Sequence, residues 1–223
     1  MMSTHPPGTL HLGDSYTIGT GVDLTDSFPH QLVRRLRTFD HSLTDPTIIA
    51  KNGWTCADLT NALTDLTHTA LLIPPYDLVT LLIGVNDQYA GHPLADYAPA
   101  FTHLLNIAIT FAGGQPQRVI VISIPDYSVT PFAIEKAFTA PSRDTNHIHL
   151  EIAAYNSINR HLTQQGGAHY VDITPISRLA SLHPAVLLAP DGLHPSADHY
   201  ARWCDLLTPT AHTILTTPTG LGG

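Results

Sequence analysis

Apolar positions along this chain alternate between two patterns: short unbroken runs, and longer stripes with helical spacing. Thr9–Leu12 is a short apolar run that stops at Gly13-Asp14-Ser15. Ser27 then offers a cap for a helix through Leu32, Val33 and Leu36. Thr47–Ala50 is the next run and ends at Asn52-Gly53. Thr55 with Asp58 forms a capping-box pattern, followed by a stripe of Leu59, Ala62, Leu63, Leu66 and Ala70. Asp77–Ile83 is dense in Leu, Val and Ile, as expected of a strand buried on both faces, and ends at Gly84. Phe101, Leu104, Leu105 and Ala108 form another helical stripe, and Val119–Ile124 a further buried strand stopped by Pro125. Ile148, Ile152, Tyr155 and Leu162 predict a helix ended by Gly166-Gly167. Tyr170–Ile173 is a weaker fifth strand. A last helix is expected from Ser196 through Tyr200, Trp203, Leu206 and Leu207.

This βα alternation predicts an α/β fold, a three-layer α/β/α sandwich on a parallel sheet. With 223 residues, no internal repeat and no linker rich enough to divide it, the chain reads as one domain over 1–223. Its core is expected at about 8–207, with the first few residues and the tail 216–223 frayed. The stretch Asp126–Asn146 is long for a connection and is expected to form a loop over the active face.

Charge and composition narrow the partners. A formal net charge of −8 disfavours nucleic acid and anionic membrane surfaces. Arg34, Arg35 and Arg37 read as a solvated helix face. No apolar stretch approaches the ~20 residues needed to span a bilayer. The start Met1-Met2-Ser3-Thr4-His5 lacks a basic, apolar leader, so a cytoplasmic location is the default expectation. Cys56 and Cys204 fall in predicted amphipathic helices, where buried free thiols are the expected state, although pairing is not excluded. Oligomeric state is left open.

In open parallel sheets, ligands bind at the carboxyl ends of the strands. Four polar groups fall there. Ser15 stands at a strand-to-helix turn, where its hydroxyl and amide can face a cleft; an ordinary helix cap reads equally well. Gly53 lets a backbone N–H approach a bound oxygen, or merely makes a turn. Asn86, in Gly84-Val85-Asn86-Asp87, carries an amide that can donate to an oxyanion. Asp191 and His194 share one loop, where the carboxylate can hold the imidazole in one tautomer. With 15 histidines in the chain, most have ordinary roles. His147 and His149 are the one tight pair a metal reading would need, and no matching carboxylate set accompanies them.

Taken together, Gly13-Asp14-Ser15, Gly53, Gly84-x-Asn86-Asp87 and Asp191-x-x-His194 resemble the SGNH (GDSL-type) hydrolase family, from Gly13 to about Leu207. The resemblance implies a flavodoxin-like sheet of order 2-1-3-4-5 and a triad of Ser15, Asp191 and His194. It also implies an oxyanion hole from the Ser15 and Gly53 N–H groups and the Asn86 side chain, with no cofactor and no metal. Tyr16 departs from the motif, which usually has leucine after the serine, and so alters the pocket wall. The serine lacks the Gly-x-Ser-x-Gly setting of α/β-hydrolases, since Thr17 stands two positions on.

The expected function is hydrolysis of a small-molecule acyl ester, short-chain or acetyl, through an acyl-enzyme. Within the same family stand carbohydrate deacetylase, thioesterase and lysophospholipase activities. A non-catalytic α/β ligand-binding module is the reading from a different class; it has no need of the Asp191/His194 pair. Tyr16, Gln88, Tyr89, Asp126 and Tyr127 are candidates for the pocket wall, with packing or surface roles the preferred expectation.

Overall fold

A computed structural model describes residues 7–67, 72–139 and 144–217. Five parallel strands, β1 (Thr9–Gly13), β2 (Thr47–Ala50), β3 (Leu78–Leu82), β4 (Val119–Ile122) and β5 (His169–Val171), form one sheet of order β2-β1-β3-β4-β5. Every position of β1, β3 and β4 is buried, because helices cover both faces of the sheet. The edge strand β2 is only half-buried throughout.

Between the strands run α1 (Ser15–Ile18), α2 (Phe28–Arg37), α3 (Cys56–Thr67), α4 (Val85–Ala90), α5 (Leu94–Phe111), α6 (Pro131–Thr139), α7 (Thr145–Gln165), α8 (Thr174–Ser177), α9 (Pro184–Leu187) and α10 (Ala197–Thr216). Helices α2 and α10 pack together in one layer. The other is formed by α3, α5 and α7, which pack side by side. The core is a continuous apolar cluster anchored by Trp203, Tyr200, Phe28, Phe101 and the leucines of β1 and β3. No helix among the described residues is long and apolar enough to cross a membrane.

The capping box at α3 forms as expected: Thr55 N–H donates to Asp58 Oδ2 at 3.0 Å, and Asp58 N–H donates to Thr55 Oγ1 at 3.3 Å. Ser27 precedes α2, but its hydroxyl turns back to donate to the Leu24 carbonyl at 2.7 Å and caps nothing. Nor is the arginine face of α2 merely solvated. Arg35 donates to Asp205 and to the Ala201 carbonyl, clamping α2 to α10, while Arg37 donates to the Leu43 carbonyl and to Asp45. Both cysteines are buried and free.

The segment expected as a loop over 126–146 is largely helical among its described residues. Asp126 caps a 3-10 turn over Tyr127–Val129, α6 starts at Pro131, and Asp144 caps α7 by accepting from the His147 N–H at 2.7 Å. Strand β4 stops sooner than its apolar run because a side chain replaces the next strand partner. Ile124 N–H donates to Asn156 Oδ1 at 2.8 Å, and Asn156 Nδ2 donates to the Ile124 carbonyl at 2.9 Å. At the C-terminus α10 continues to Thr216, the first residue of the expected tail. Ala70, the first six residues and 218–223 lie outside the described residues.

Candidate active site

The ends of β1 and β3, the turn after β2 and the loop before α10 meet at the carboxyl edge of the sheet. Ser15 is the first residue of α1 and is 7% exposed. Its position depends on Gly13: a Cβ there would collide with Thr17 Oγ1 and the Leu82 carbonyl, so only glycine lets β1 turn directly into α1. Asp14 caps the short helix, its Oδ1 accepting from the Tyr16 N–H at 3.0 Å. The Ser15 carbonyl accepts from the N–H groups of Gly19 and Thr20, each at 3.1 Å, which closes the turn from below.

Gly53 sits after β2 with φ 81°, a conformation that side-chain-bearing residues rarely adopt. A Cβ at this position would meet nothing within 4 Å, so glycine is needed here for its backbone angle and not for space. The network of the described residues leaves the amide N–H groups of Ser15 and Gly53 without protein acceptors.

Asn86 lies in the first turn of α4, and its Nδ2 donates to the Trp54 carbonyl at 2.9 Å. One amide hydrogen is thereby fixed and the other remains for a ligand. Its neighbour Asp87 is buried; Oδ2 accepts from the Cys56 N–H at 3.0 Å and Oδ1 lies 3.2 Å from His92 Nδ1. Asp87 thus ties the start of α3 to α4, which holds the Gly53–Trp54 turn against Asn86. Sequence reasoning saw neither this tie nor the Trp54 carbonyl. An Asn-Asp pair after a strand was the available signal, but its partner lies on another element.

The last loop is organised around one carboxylate. Asp191 Oδ1 accepts from the N–H groups of Leu193 and His194 at 2.9 and 3.0 Å, and Oδ2 lies 2.6 Å from His194 Nδ1. Partial burial raises the Asp191 pKa, but these bonds outweigh it and hold the carboxyl below its ordinary value. The loop is closed by Ala189 N–H donating to the His194 carbonyl at 2.8 Å, and it rests against Gly21, where a Cβ would fall 2.6 Å from that of Ala189. The side chain of His194 is 12% exposed and that of Asp191 41%.

Ser15, Gly53, Asn86 and His194 all line one cleft of about 230 Å³, walled by Tyr16, Val85, Tyr89, Tyr127, Phe132 and Leu193. Of the five candidates for the wall, Tyr16, Tyr89 and Tyr127 line it. Gln88 and Asp126 do not, as the packing expectation had it. Gln88 Nε2 donates to Glu151 at 2.6 Å. Asp126 is fully buried, and its Oδ2 receives Arg178 Nε at 2.8 Å and pairs with His149 Nδ1 at 2.7 Å, which fixes the corner that presents Tyr127. Phe132, reached through α6, was not foreseen. The histidines of the tight pair take separate partners, His147 with Glu151 and His149 with Asp126, and no group of three or more metal-ligating side chains occurs among the described residues.

The fold has solved counterparts. It is similar to "Crystal Structure of TesA" at 18% identity and TM-score 0.64, covering 93% of this chain and 99% of that one. The psychrotrophic esterase EstA from Pseudoalteromonas sp. is similar at 15% identity and TM-score 0.64, covering 94% and 99%. Axe2, an acetylxylan esterase from Geobacillus stearothermophilus, is similar at 17% identity and TM-score 0.63, covering 97% of each chain. No curated protein sequence matches the chain significantly. The model of the GDSL-like Lipase/Acylhydrolase family matches residues 11–202, which takes in Ser15, Gly53, Asn86, Asp191 and His194. The chain belongs to the GDSL-like lipase/acylhydrolase family and is an ester hydrolase.

Proposed function

We propose that this enzyme cleaves short-chain carboxylic esters, acetyl esters above all, through an acyl-enzyme on Ser15. The observation that carries the reading is the His194 ring: its Nδ1 is held by Asp191, while the residue lines the same cleft as Ser15. Ser15 Oγ attacks the acyl carbonyl and His194 accepts its proton. The imidazolium, stabilised by Asp191, then returns the proton to the leaving alkoxide. Water repeats the cycle on the acyl-enzyme, releasing the acid and free Ser15. The Ser15 and Gly53 N–H groups and Asn86 Nδ2 stabilise the oxyanion of each tetrahedral intermediate.

Size supports a short acyl group. Drug-sized ligands fill pockets of about 300–1,000 Å³, and an apolar cavity of about 150 Å³ admits a benzene. The 230 Å³ cleft lies between them. A second reading, in which the alcohol side is a sugar, draws on Tyr89. It lines the cleft while 48% exposed, as a stacking platform at the rim would be, and Axe2 is named an acetylxylan esterase.

A fluorophosphonate probe is expected to label Ser15, and p-nitrophenyl acetate to be cleaved faster than its longer homologues. An unlabelled Ser15 in folded protein would remove the serine mechanism. Acetylated xylose turned over faster than p-nitrophenyl acetate would favour the sugar reading. Asn86→Ala is expected to lower kcat by roughly 10²–10³ with little change in KM. Because Asn86 also bonds the Trp54 carbonyl, a thermal melt of the variant must accompany the kinetics. An unchanged rate would take Asn86 out of the oxyanion hole.

A further inference from the structure

We infer that the Tyr16 side chain is the wall that limits acyl length, separating the cleft from a second, inner cavity that a longer chain would enter. The inference rests on the proposed serine-esterase reading and names the substrate limit of that same site.

Tyr16 is 3% exposed and lines both spaces, as do Tyr127 and Leu193. The inner cavity has a volume of only about 10 Å³, and Trp203, His199 and Leu188 lie around it. Such a space holds about one water and no acyl chain, so the cleft is closed here while the tyrosine is in place. The Tyr16 ring is 5.4 Å from the His194 ring and 6.2 Å from that of Trp203, centroid to centroid. It therefore fills the space between the proposed general base and the core. A smaller side chain would join the two cavities and add the volume of the lost ring.

The joined space would suit an alkyl chain, because most of the polar groups around it are already bonded within the protein. Asp126 is held by His149 and Arg178. The ring nitrogens of His199 bond the Leu187 and Ile176 carbonyls at 2.9 and 3.1 Å. Ser177 Oγ donates to the Thr174 carbonyl, and Thr130 Oγ1 to that of Tyr127. Among the described residues lining this cavity, Trp203 Nε1 is the buried side-chain polar atom left without a partner.

The nucleophile does not depend on the ring. The backbone of residue 16 is fixed at both ends, its N–H by Asp14 Oδ1 and its carbonyl by the Tyr200 hydroxyl at 3.0 Å. A change confined to the side chain keeps both bonds, so Ser15 stays in place while the wall moves.

The test compares kcat/KM on p-nitrophenyl esters from acetyl to octanoyl in the wild type, Tyr16→Leu and Tyr16→Ala. One buried methylene changes kcat/KM by about 10–200-fold in a well-fitted apolar pocket. The octanoyl-to-acetyl ratio is accordingly expected to rise by about tenfold or more in Tyr16→Ala, and by less in Tyr16→Leu. A ratio equal to the wild-type value, or an equal fall on every ester as from a ring that only braces His194, would overturn the inference. Should Tyr16→Ala fail to fold, Tyr16→Leu decides by the same ratio. A readout without turnover separates this claim from the reaction itself. Calorimetry of octanoate and acetate binding to Ser15→Ala and to Ser15→Ala/Tyr16→Ala is expected to show a selective gain for octanoate in the double variant. Wild-type protein inert to all the esters would strike the proposed reaction, and the binding comparison would still uphold or overturn the wall.

Discussion

Ser15→Ala and His194→Ala are each expected to lower kcat by roughly 10⁵–10⁶, and the double variant is expected to lose little more. The reason is that, in the proposed mechanism, hydroxyl and imidazole perform one proton transfer. Once either is gone, the other has nothing to act on. What remains is the rate from binding and the oxyanion donors, so the losses do not multiply. Asp191→Ala is expected to cost less, on the order of 10⁴. In that mechanism its carboxylate orients the ring and does not itself exchange a proton. Its side chain is also 41% exposed, so water can partly replace it at His194 Nδ1. The Asp191 carboxylate has a further duty, accepting from two N–H groups of its own loop. Asp191→Asn keeps an acceptor for these and isolates the effect on the ring. Steady-state rates on p-nitrophenyl acetate, with melting curves for each variant, make the measurement. Losses that multiply in the double variant would separate Ser15 from His194 and end the shared mechanism.

The residues of this constellation were legible because each sits in a short, local pattern. For Ser15 and Asn86, a glycine that turns the chain, an acceptor or donor beside it, and a buried strand just before are all visible within five or six positions, while Asp191 and His194 stand three apart in one loop. The sheet was legible for a similar reason: β1, β3 and β4 are covered on both faces and are therefore mostly apolar. The supports of the site were hidden because they join distant stretches. The Trp54 carbonyl under Asn86, Asp87 on the Cys56 N–H, and the Arg178 and His149 grip on Asp126 each cross between elements. No spacing rule announces them. Helices α4, α8 and α9 have six, four and four residues, too few for a stripe to repeat. Polar caps at Asp126 and Asp144 looked like loop residues in 126–146, and from sequence alone a cap and a loop are the same signal. His11 shows the same limit from the other side. In β1 it is fully buried between the hydroxyls of Thr80 and Thr9, at 2.8 and 3.0 Å, and burial followed by the charge of His30 depresses its pKa to about 3. It is a core residue of the strand that leads into the proposed nucleophile Ser15.

That neighbouring turn also contains a fully buried acid, Asp14, and Asp14→Asn is expected to remove its pH-dependent effect on stability. Asp14 is 1% exposed, and its Oδ2 is buried without a partner. Burial is the main cause that lifts its pKa from 3.8 to about 7. The Tyr16 N–H bond opposes this, and the nearby Asp87 carboxylate adds to it. Tyr16, Cys56 and Tyr200, whose own pKa values Asp14 raises, also feel it, and none of them is a cation. The sign follows from proton counting. Between pH 4 and 7 the unfolded chain releases this proton while the folded chain keeps it, so stability falls as pH rises. Each pH unit removes at most about 1.4 kcal/mol, and the loss levels off at roughly 4 kcal/mol about a unit above the folded pKa. Asparagine retains the capping oxygen for Tyr16 and does not titrate. Any cost of burying its amide is the same at every pH, so the difference in slope isolates the acid. At about 2–4 °C per kcal/mol for a chain of this size, the melting temperature of Asp14→Asn relative to wild type is expected to rise by on the order of 10 °C between pH 4.5 and pH 8. Parallel profiles would mean that Asp14 is ionised in the folded protein, and that a partner for Oδ2, such as a bound water, stabilises it.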